Sequence, residues 1–362
     1  FYYALQEYSK KYPMKAVLAN NWFDIGHEDK YYNSKLEVRA REFNHITIDK
    51  NRGILKKTSD DKDKFIGEIK WYLKLPADVE YVRPRIFDYS TSYVNPYVSM
   101  EYYAYHTVHE LFLYGDLTLQ QWIDIFNRIR FVCDDFKRYT VQDAGIRPAL
   151  EEMYLTKTLQ RFEKMKKDER FVTFFESPIV VNGKRYLPLN EIIIVLEKAI
   201  PEMLYDVDTF NIIHGDLCFA NIMVDSNFSF IKVIDPRGKF GIYDIYGDFR
   251  YELAKLFHSV DGKYDFIIKD LFDLDYNSEE AYINYRIQDR KREFDLYKVF
   301  LSTFATEIDS DLKKIELIEA LLFLSMIPLH GESIRHQMVM LGTGLEILNR
   351  VIDIQIGEKK NV

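Results

Sequence analysis

Three features of the chain predict an α+β fold in two unequal lobes. NHITIDK and GILKKTS (44–59) alternate apolar and polar positions around Asn51-Arg52-Gly53, as a two-stranded hairpin closed by a tight turn would. From about residue 105 the apolar residues recur at helical spacing. That helical stretch is interrupted once, at 211–235, by the short β-like runs NII, NIMV and FIKVID. Strands and helices segregated along the chain, rather than alternating, make the class α+β.

The elements follow in order. Residues 1–13 read as a short amphipathic helix, KAVLAN (15–20) as a strand, and 28–43 as a helix of mixed charge. A helix is predicted over 61–76, capped by Asp60 or Asp61 and stopped by Pro76, with Phe65, Ile66, Ile69, Tyr72 and Leu73 as its apolar stripe. YVRPRIFDY and YVSMEYYAY read as strands. VHELFLYG, residues 117–139, PALEEMYLTKTLQRFEKMKK and NEIIIVLEKAIPEMLYDV read as helices. After 235, helices resume at YGDFRYELAKLFHSV and are expected to the end.

A chain of 362 residues suits two domains or one two-lobed unit, and 47% hydrophobic residues exclude general disorder. The net charge of −8 argues against nucleic acid or an anionic membrane as partner and suits a cationic or neutral small substrate. Cys133 and Cys218 form neither a disulfide framework nor a metal-ligand spacing, which points to a reducing compartment, the cytoplasm. The longest apolar run, 317–329, is too short to span a bilayer and carries Glu319, so no membrane insertion is expected. No signal peptide is visible, and Phe1 in place of Met suggests a piece of something longer.

HGDLCFAN (214–221) sets His214, Asp216 and Asn221 between apolar runs, where unsatisfied polar groups are costly. Asp235 follows fourteen residues after Asn221, and NIMVD and FIKVI between them can pair as a hairpin. Such a hairpin brings Asn221 and Asp235 side by side, with Asp216 in the loop leading in. Two carboxylates and an amide, with no Cys or His ligand set, favour a hard oxygen-seeking ion such as Mg2+.

HGDLCFAN followed by IDPRG resembles the H-G-D-x-x-x-x-N and I-D loops of the aminoglycoside phosphotransferase and choline kinase superfamily, small-molecule kinases with a bilobal protein-kinase-like fold. The resemblance implies a small β-rich N-lobe and hinge over 41–104 and a mainly helical C-lobe over 105–362. It implies that Asp216 orients or deprotonates the acceptor hydroxyl, that His214 braces the loop, and that Asn221 and Asp235 hold Mg2+ on the phosphates of ATP or GTP. Asp235-Pro236-Arg237-Gly238 stands where protein kinases carry D-F-G, so no Phe switch is implied. Arg237 is left open between a phosphate contact and a surface ion pair.

The same likeness implies a strand lysine paired with a helix glutamate to hold phosphates: Lys56 or Lys57 with Glu68. Neighbours on a strand point opposite ways, so only one lysine faces inward. Aligning Leu-Lys-Lys-Thr with the family's strand favours Lys56. Met100 is placed as a gatekeeper-like residue, and Glu101 to Tyr103 as the linker whose backbone bonds the purine edge. The phosphate-covering turn lacks G-x-G-x-x-G, and Asp248 is expected to cap the following helix.

A second resemblance lies at the front. NWFDIGHEDKYY (21–32) looks like the W-x-D-x-G segment of sugar-1-phosphate and phosphocholine nucleotidyltransferases, in which Asp24 matches a Mg2+-binding aspartate. Residues 1–40 therefore read as the tail of a nucleotidyltransferase domain, with Asp24 an orphan. A kinase joined to a nucleotidyltransferase implies consecutive steps on a choline-like amino alcohol, polyol or sugar, for bacterial surface polysaccharide or lipopolysaccharide. Helices at 290–350, with His330 and Glu332, are expected to wall the acceptor pocket. A protein kinase and a non-catalytic pseudokinase-like module are the competing readings. The absence of H-R-D, D-F-G and A-P-E argues against the first, and the presence of all three polar site residues against the second.

Overall fold

The computed structural model describes residues 2–12 and 44–356. Helix α1 (Tyr2–Ser9) is the short N-terminal helix expected from sequence. The expected strand at 15–20, the helix at 28–43 and Asp24 lie outside the described residues.

Strands β1 (Asn44–Asp49) and β2 (Ile54–Ser59) form the expected hairpin, with Ile46 opposite Lys57. They join β3 (Ile86–Ser90) and β4 (Tyr97–Glu101) in an antiparallel sheet of order β1-β2-β4-β3. Helix α2 (Lys62–Lys74) starts at Asp61, whose side chain accepts from Lys64 N–H. Its buried face is Phe65, Glu68, Ile69, Trp71 and Tyr72. The predicted stripe is thus rotated: Leu73 is 37% exposed, and Trp71 takes the inward place. Trp71 Nε1–H donates to Ile213 O at 2.7 Å, tying α2 to the strand that leads into the 214–221 loop.

Strand β5 (His106–Thr107) leads into α3 (Val108–Tyr114), closed at its start by a Thr107/Glu110 capping box. Helices α4 (Leu119–Lys137), α5 (Lys157–Lys166) and α6 (Leu189–Leu204) follow. Residues Glu151–Thr156, just before α5, form a π-helical turn. Strand β6 (Phe210–Ile212) carries the chain to the polar loop. Beyond it β7 (Ile222–Val224) and β8 (Ile231–Val233) pair antiparallel, Ile222 opposite Val233. Helix α7 (Phe249–Val260) is buried at every residue and packs on α8 (Leu312–Met326), which packs on α9 (Ile334–Val351). One expectation fails after 235. Residues Phe272–Asn277 and Tyr282–Ile287 form a hairpin, extended by strands at 179–181 and 184–186, and not helix. Among the described residues no helix is long and apolar enough to cross a membrane.

Candidate active site

Strand β2 turns Lys57, not Lys56, inward, the reverse of the preference drawn from alignment. Lys57 is 4% exposed, while Lys56 lies outside with its ammonium 4.3 Å from the Tyr97 ring centre. The Lys57 ammonium donates to both oxygens of Glu68, at 2.8 and 2.9 Å, and to Asp235 Oδ1 at 2.7 Å. Burial works to lower the Lys57 pKa, but Asp235 and Glu68 outweigh it and hold it above its usual range. Burial pushes the Glu68 carboxyl up to about 7, with Lys57 opposing. Glu68 comes from α2 and Asp235 from the loop after β8, so this triad links the two lobes.

The loop holding Asp235 is tightly set. Asp235 has φ 57°, a left-handed conformation rare outside glycine, and its N–H donates to Tyr72 Oη at 3.0 Å. Gly238, also left-handed at φ 67°, lies against Gly67 of α2 so closely that a Cβ there would fall 2.1 Å from the Gly67 carbonyl carbon. Arg237 N–H donates to His214 O at 2.9 Å, which joins this loop to the other one.

His214 is fully buried, with Nε2 bonded to Ile234 O at 3.0 Å and its ring edge-on to Trp71. Burial pushes its pKa down to about 4, so it is neutral at pH 7. The backbone of the loop is clamped by a residue that sequence reasoning missed. Glu252 on α7 accepts from His214 N–H at 2.7 Å and from Gly215 N–H at 2.9 Å. Burial pushes the Glu252 carboxyl up to about 7 against those two hydrogen bonds.

Asp216 is half-buried and held from two sides. Lys255, one turn beyond Glu252 on α7, lies 2.9 Å from its Oδ1. Asn221 Nδ2 donates to Asp216 O at 2.8 Å and to Oδ2 at 3.1 Å. With its nitrogen committed to Asp216, Asn221 has its amide oxygen left as a ligand. Asn221 and Asp235 bracket the open end of the β7–β8 hairpin, where Ile234 N–H donates to Asn221 O at 3.0 Å. One amide oxygen and an exposed carboxylate, both hard donors, fit a divalent cation of the Mg2+ type. Glu252 and Lys255 leave little signal in the sequence, since α7 also carries Arg250, His258 and Ser259.

At the linker, Met100 is buried in β4. Glu101 N–H is committed to Arg85 O and Tyr102 N–H to Gly53 O, both at 2.8 Å, so the sheet itself uses these two donors. Tyr103 Oη–H donates to Glu101 Oε2 at 2.7 Å. Arg237 does not form the surface ion pair left open for it: it donates to Tyr251 Oη at 3.0 Å and to Lys239 O at 2.9 Å. Asp248 caps α7 through Arg250 N–H, as expected. His330 meets Glu332 at 2.9 Å and stands 3.4 Å from Tyr264 Oη, next to buried His258 of α7.

A sheet-rich N-terminal part followed by a helical C-terminal part recurs in solved structures. The fold is that of the aminoglycoside phosphotransferases. Aminoglycoside phosphotransferase APH(4)-Ia superposes with a TM-score of 0.52 at 12% identity, over 88% of this chain and 96% of that one. A thermostable mutant of that enzyme in ternary complex with AMP-PNP and hygromycin B gives 0.51 at 12% identity, over 85% and 90%. Its counterpart with ADP and hygromycin B gives 0.50 at 12% identity, over 84% and 88%. No family model and no curated protein matches the chain.

Proposed function

We propose that this chain is a small-molecule kinase that moves the γ-phosphoryl group of ATP or GTP to a hydroxyl of a small metabolite. The observation that carries this reading is a pair of carboxylates on two backbone-bonded loops, each held by its own buried lysine: Asp235 by Lys57 and Asp216 by Lys255. Nucleotide-bound structures of the same fold support it.

In this reading the acceptor hydroxyl lies against Asp216, which Lys255 and Asn221 keep in one rotamer. The hydroxyl oxygen bonds to the γ-phosphorus as the bond to the β–γ bridging oxygen breaks. The hydroxyl proton passes to Asp216, and the nucleoside diphosphate leaves. Lys57, steadied by Glu68, reaches the α and β phosphates. Asn221 and Asp235 would hold the divalent ion, whose chemistry is to neutralise charge on the phosphates. The base sits at the linker near Tyr103, behind Met100. His214 and Glu252 touch no reactant and position the loop. Residues 21–32 suggest that the phosphorylated product passes to a nucleotidyltransferase.

The test is an acceptor screen on the purified chain with choline, ethanolamine, glycerol, ribitol and hexoses, read as ADP or GDP release. Mg-nucleotide binding is titrated in parallel. Turnover dependent on one acceptor class supports the reading. A protein that neither binds Mg-nucleotide nor releases diphosphate with any acceptor is a non-catalytic module.

A further inference from the structure

We propose that the acceptor alcohol carries its own negative charge, as a phosphate or carboxylate, held by Lys157, Arg161 and Arg237 beside Asp216. This rests on the reading of Asp216 as the acceptor-side carboxylate. It departs from the cationic or neutral substrate that the overall charge of −8 suggests.

The placement comes from packing. Tyr154, in the π-helical turn, donates to Asp248 Oδ2 at 2.8 Å and lies 6.3 Å, ring to ring, from Tyr251. That turn is therefore seated on the start of α7. Lys157 follows Tyr154 by three residues and Arg161 follows Lys157 by four, so both lie on one face of α5. On α7, Lys255 follows Tyr251 by four. π-helical turns break the regular helical register and recur at functional sites. Here the turn sets where that face of α5 points. Arg237 comes from the third side. Its stem runs so close over the 214–216 loop that a Cβ on Gly215 would meet Arg237 Cβ at 2.9 Å.

The charges do not balance. Lys255 is answered by Asp216. Arg237 bonds only neutral oxygens, those of Tyr251 and Lys239. Among the described residues, neither the Lys157 ammonium nor the Arg161 guanidinium has an ion pair or hydrogen bond. Burial, then Arg237, Lys255 and Arg161, push the Lys157 ammonium down to about 6, and Asp216 only partly opposes them. Burial and Arg237 also lower Arg161, with no carboxylate acting on it. Four basic side chains around one carboxylate, in an acidic protein, form a site whose complement is an anion. An anion there would favour the charged form of Lys157, which burial and the neighbouring cations disfavour in the free protein. Lys157 feels Arg237, Lys255 and Asp216, and Arg161 feels Arg237, whereas Lys57 feels Glu68 and Asp235. The surplus thus stands on the acceptor side and not the nucleotide side.

Matched alcohols decide the matter: glycerol, glycerol 3-phosphate and glycerate; ribitol and ribitol 5-phosphate; choline and ethanolamine. Each is assayed for diphosphate release, with nucleotide binding titrated separately. The expected result is turnover confined to the anionic members, the phosphate and carboxylate arms showing which anion is preferred. Arg161→Gln and Lys157→Gln should each raise the acceptor KM roughly 10–100-fold, the loss of one charge-assisted contact, while the nucleotide KM stays put. Arg161→Lys should recover part of the loss. Choline, ethanolamine or the uncharged polyols turning over as well as their anionic partners would overturn the inference and leave the kinase reading standing. So would variants that raise the nucleotide KM alone. Failure of nucleotide binding and of turnover with every alcohol would overturn both.

Discussion

On the side of the N-terminal sheet, Lys57 stands between Glu68 and Asp235, one cation for two carboxylates. On the side of α7, Asp216 is one carboxylate among Lys255, Lys157, Arg161 and Arg237. The first cluster lacks positive charge and the second lacks negative charge. Under the proposals above, the first awaits a divalent cation and the second an anionic alcohol. The asymmetry also separates side chains that are paired within the protein from those that are not. The Lys57 triad is closed by 2.7–2.9 Å contacts. The Lys157–Arg161 face is closed by nothing within the described residues.

The sharpest way to break the comparison is at Asp216. Asp216→Ala should lower kcat by about 10²–10⁴-fold, the usual worth of a positioned base, while nucleotide affinity in titration calorimetry stays near the parent's. Loss of both together would merge the two sides into one. Next is Lys57→Met, which leaves buried Glu68 without its cation. Chemical denaturation should show a loss of about 3–5 kcal/mol, with Glu68→Gln added to it restoring part. A loss below ~1 kcal/mol would mean that the triad is not a structural unit.

His214 gives the pH arm. Its folded pKa of about 4 lies below its ordinary 6.5, so the unfolded chain takes up the proton first. The stability it contributes is present above pH 6.5 and is lost as pH falls towards 4. His214→Asn should remove about 3 kcal/mol of that acid dependence, read as the difference from the parent in denaturation midpoints at pH 7 and 4.5. Parallel slopes would show that His214 is not held neutral. Glu252→Gln keeps the shape of the clamp but replaces one acceptor oxygen with an amide NH2 that opposes a backbone N–H, so about 1–3 kcal/mol should go, with kcat reduced more than nucleotide affinity. Smallest of all is Lys56→Ala, about 0.5 kcal/mol from its contact with Tyr97, with nucleotide affinity unchanged. A large loss of nucleotide binding there would return the inward role to Lys56.

The parts of the site that lie close along the chain were readable from it. Asp216, Asn221 and Asp235 are brought together by one tight hairpin, so residue spacing alone places them. The lysine was harder. The inward face of β2 carries Leu55, Lys57 and Ser59, and two of the three are polar, so the apolar marking that identifies a strand's core side is weak. Glu252 and Lys255 resemble an ordinary surface pair until α7 proves to be buried on all sides. Lys157 and Arg161 sit in KTLQRFEKMK, a composition that reads as solvated helix, and only the π-helical turn and the approach of Arg237 give them a shared environment. Phe272, Leu274 and Tyr276 alternate with Asp273, Asp275 and Asn277, a period of two that marks the 272–287 hairpin in the sequence and that the expectation of helix to the chain's end passes over.

Gly67 and Gly238 bring main chain against main chain between α2 and the loop after β8. No charged group takes part in that contact, yet the spacing of the whole triad is inherited from it. A single methyl group at 238 would act as a wedge, prising α2 away and carrying Glu68 with it. A neutral change remote from every reacting atom could therefore silence the protein with its full complement of acids and bases intact.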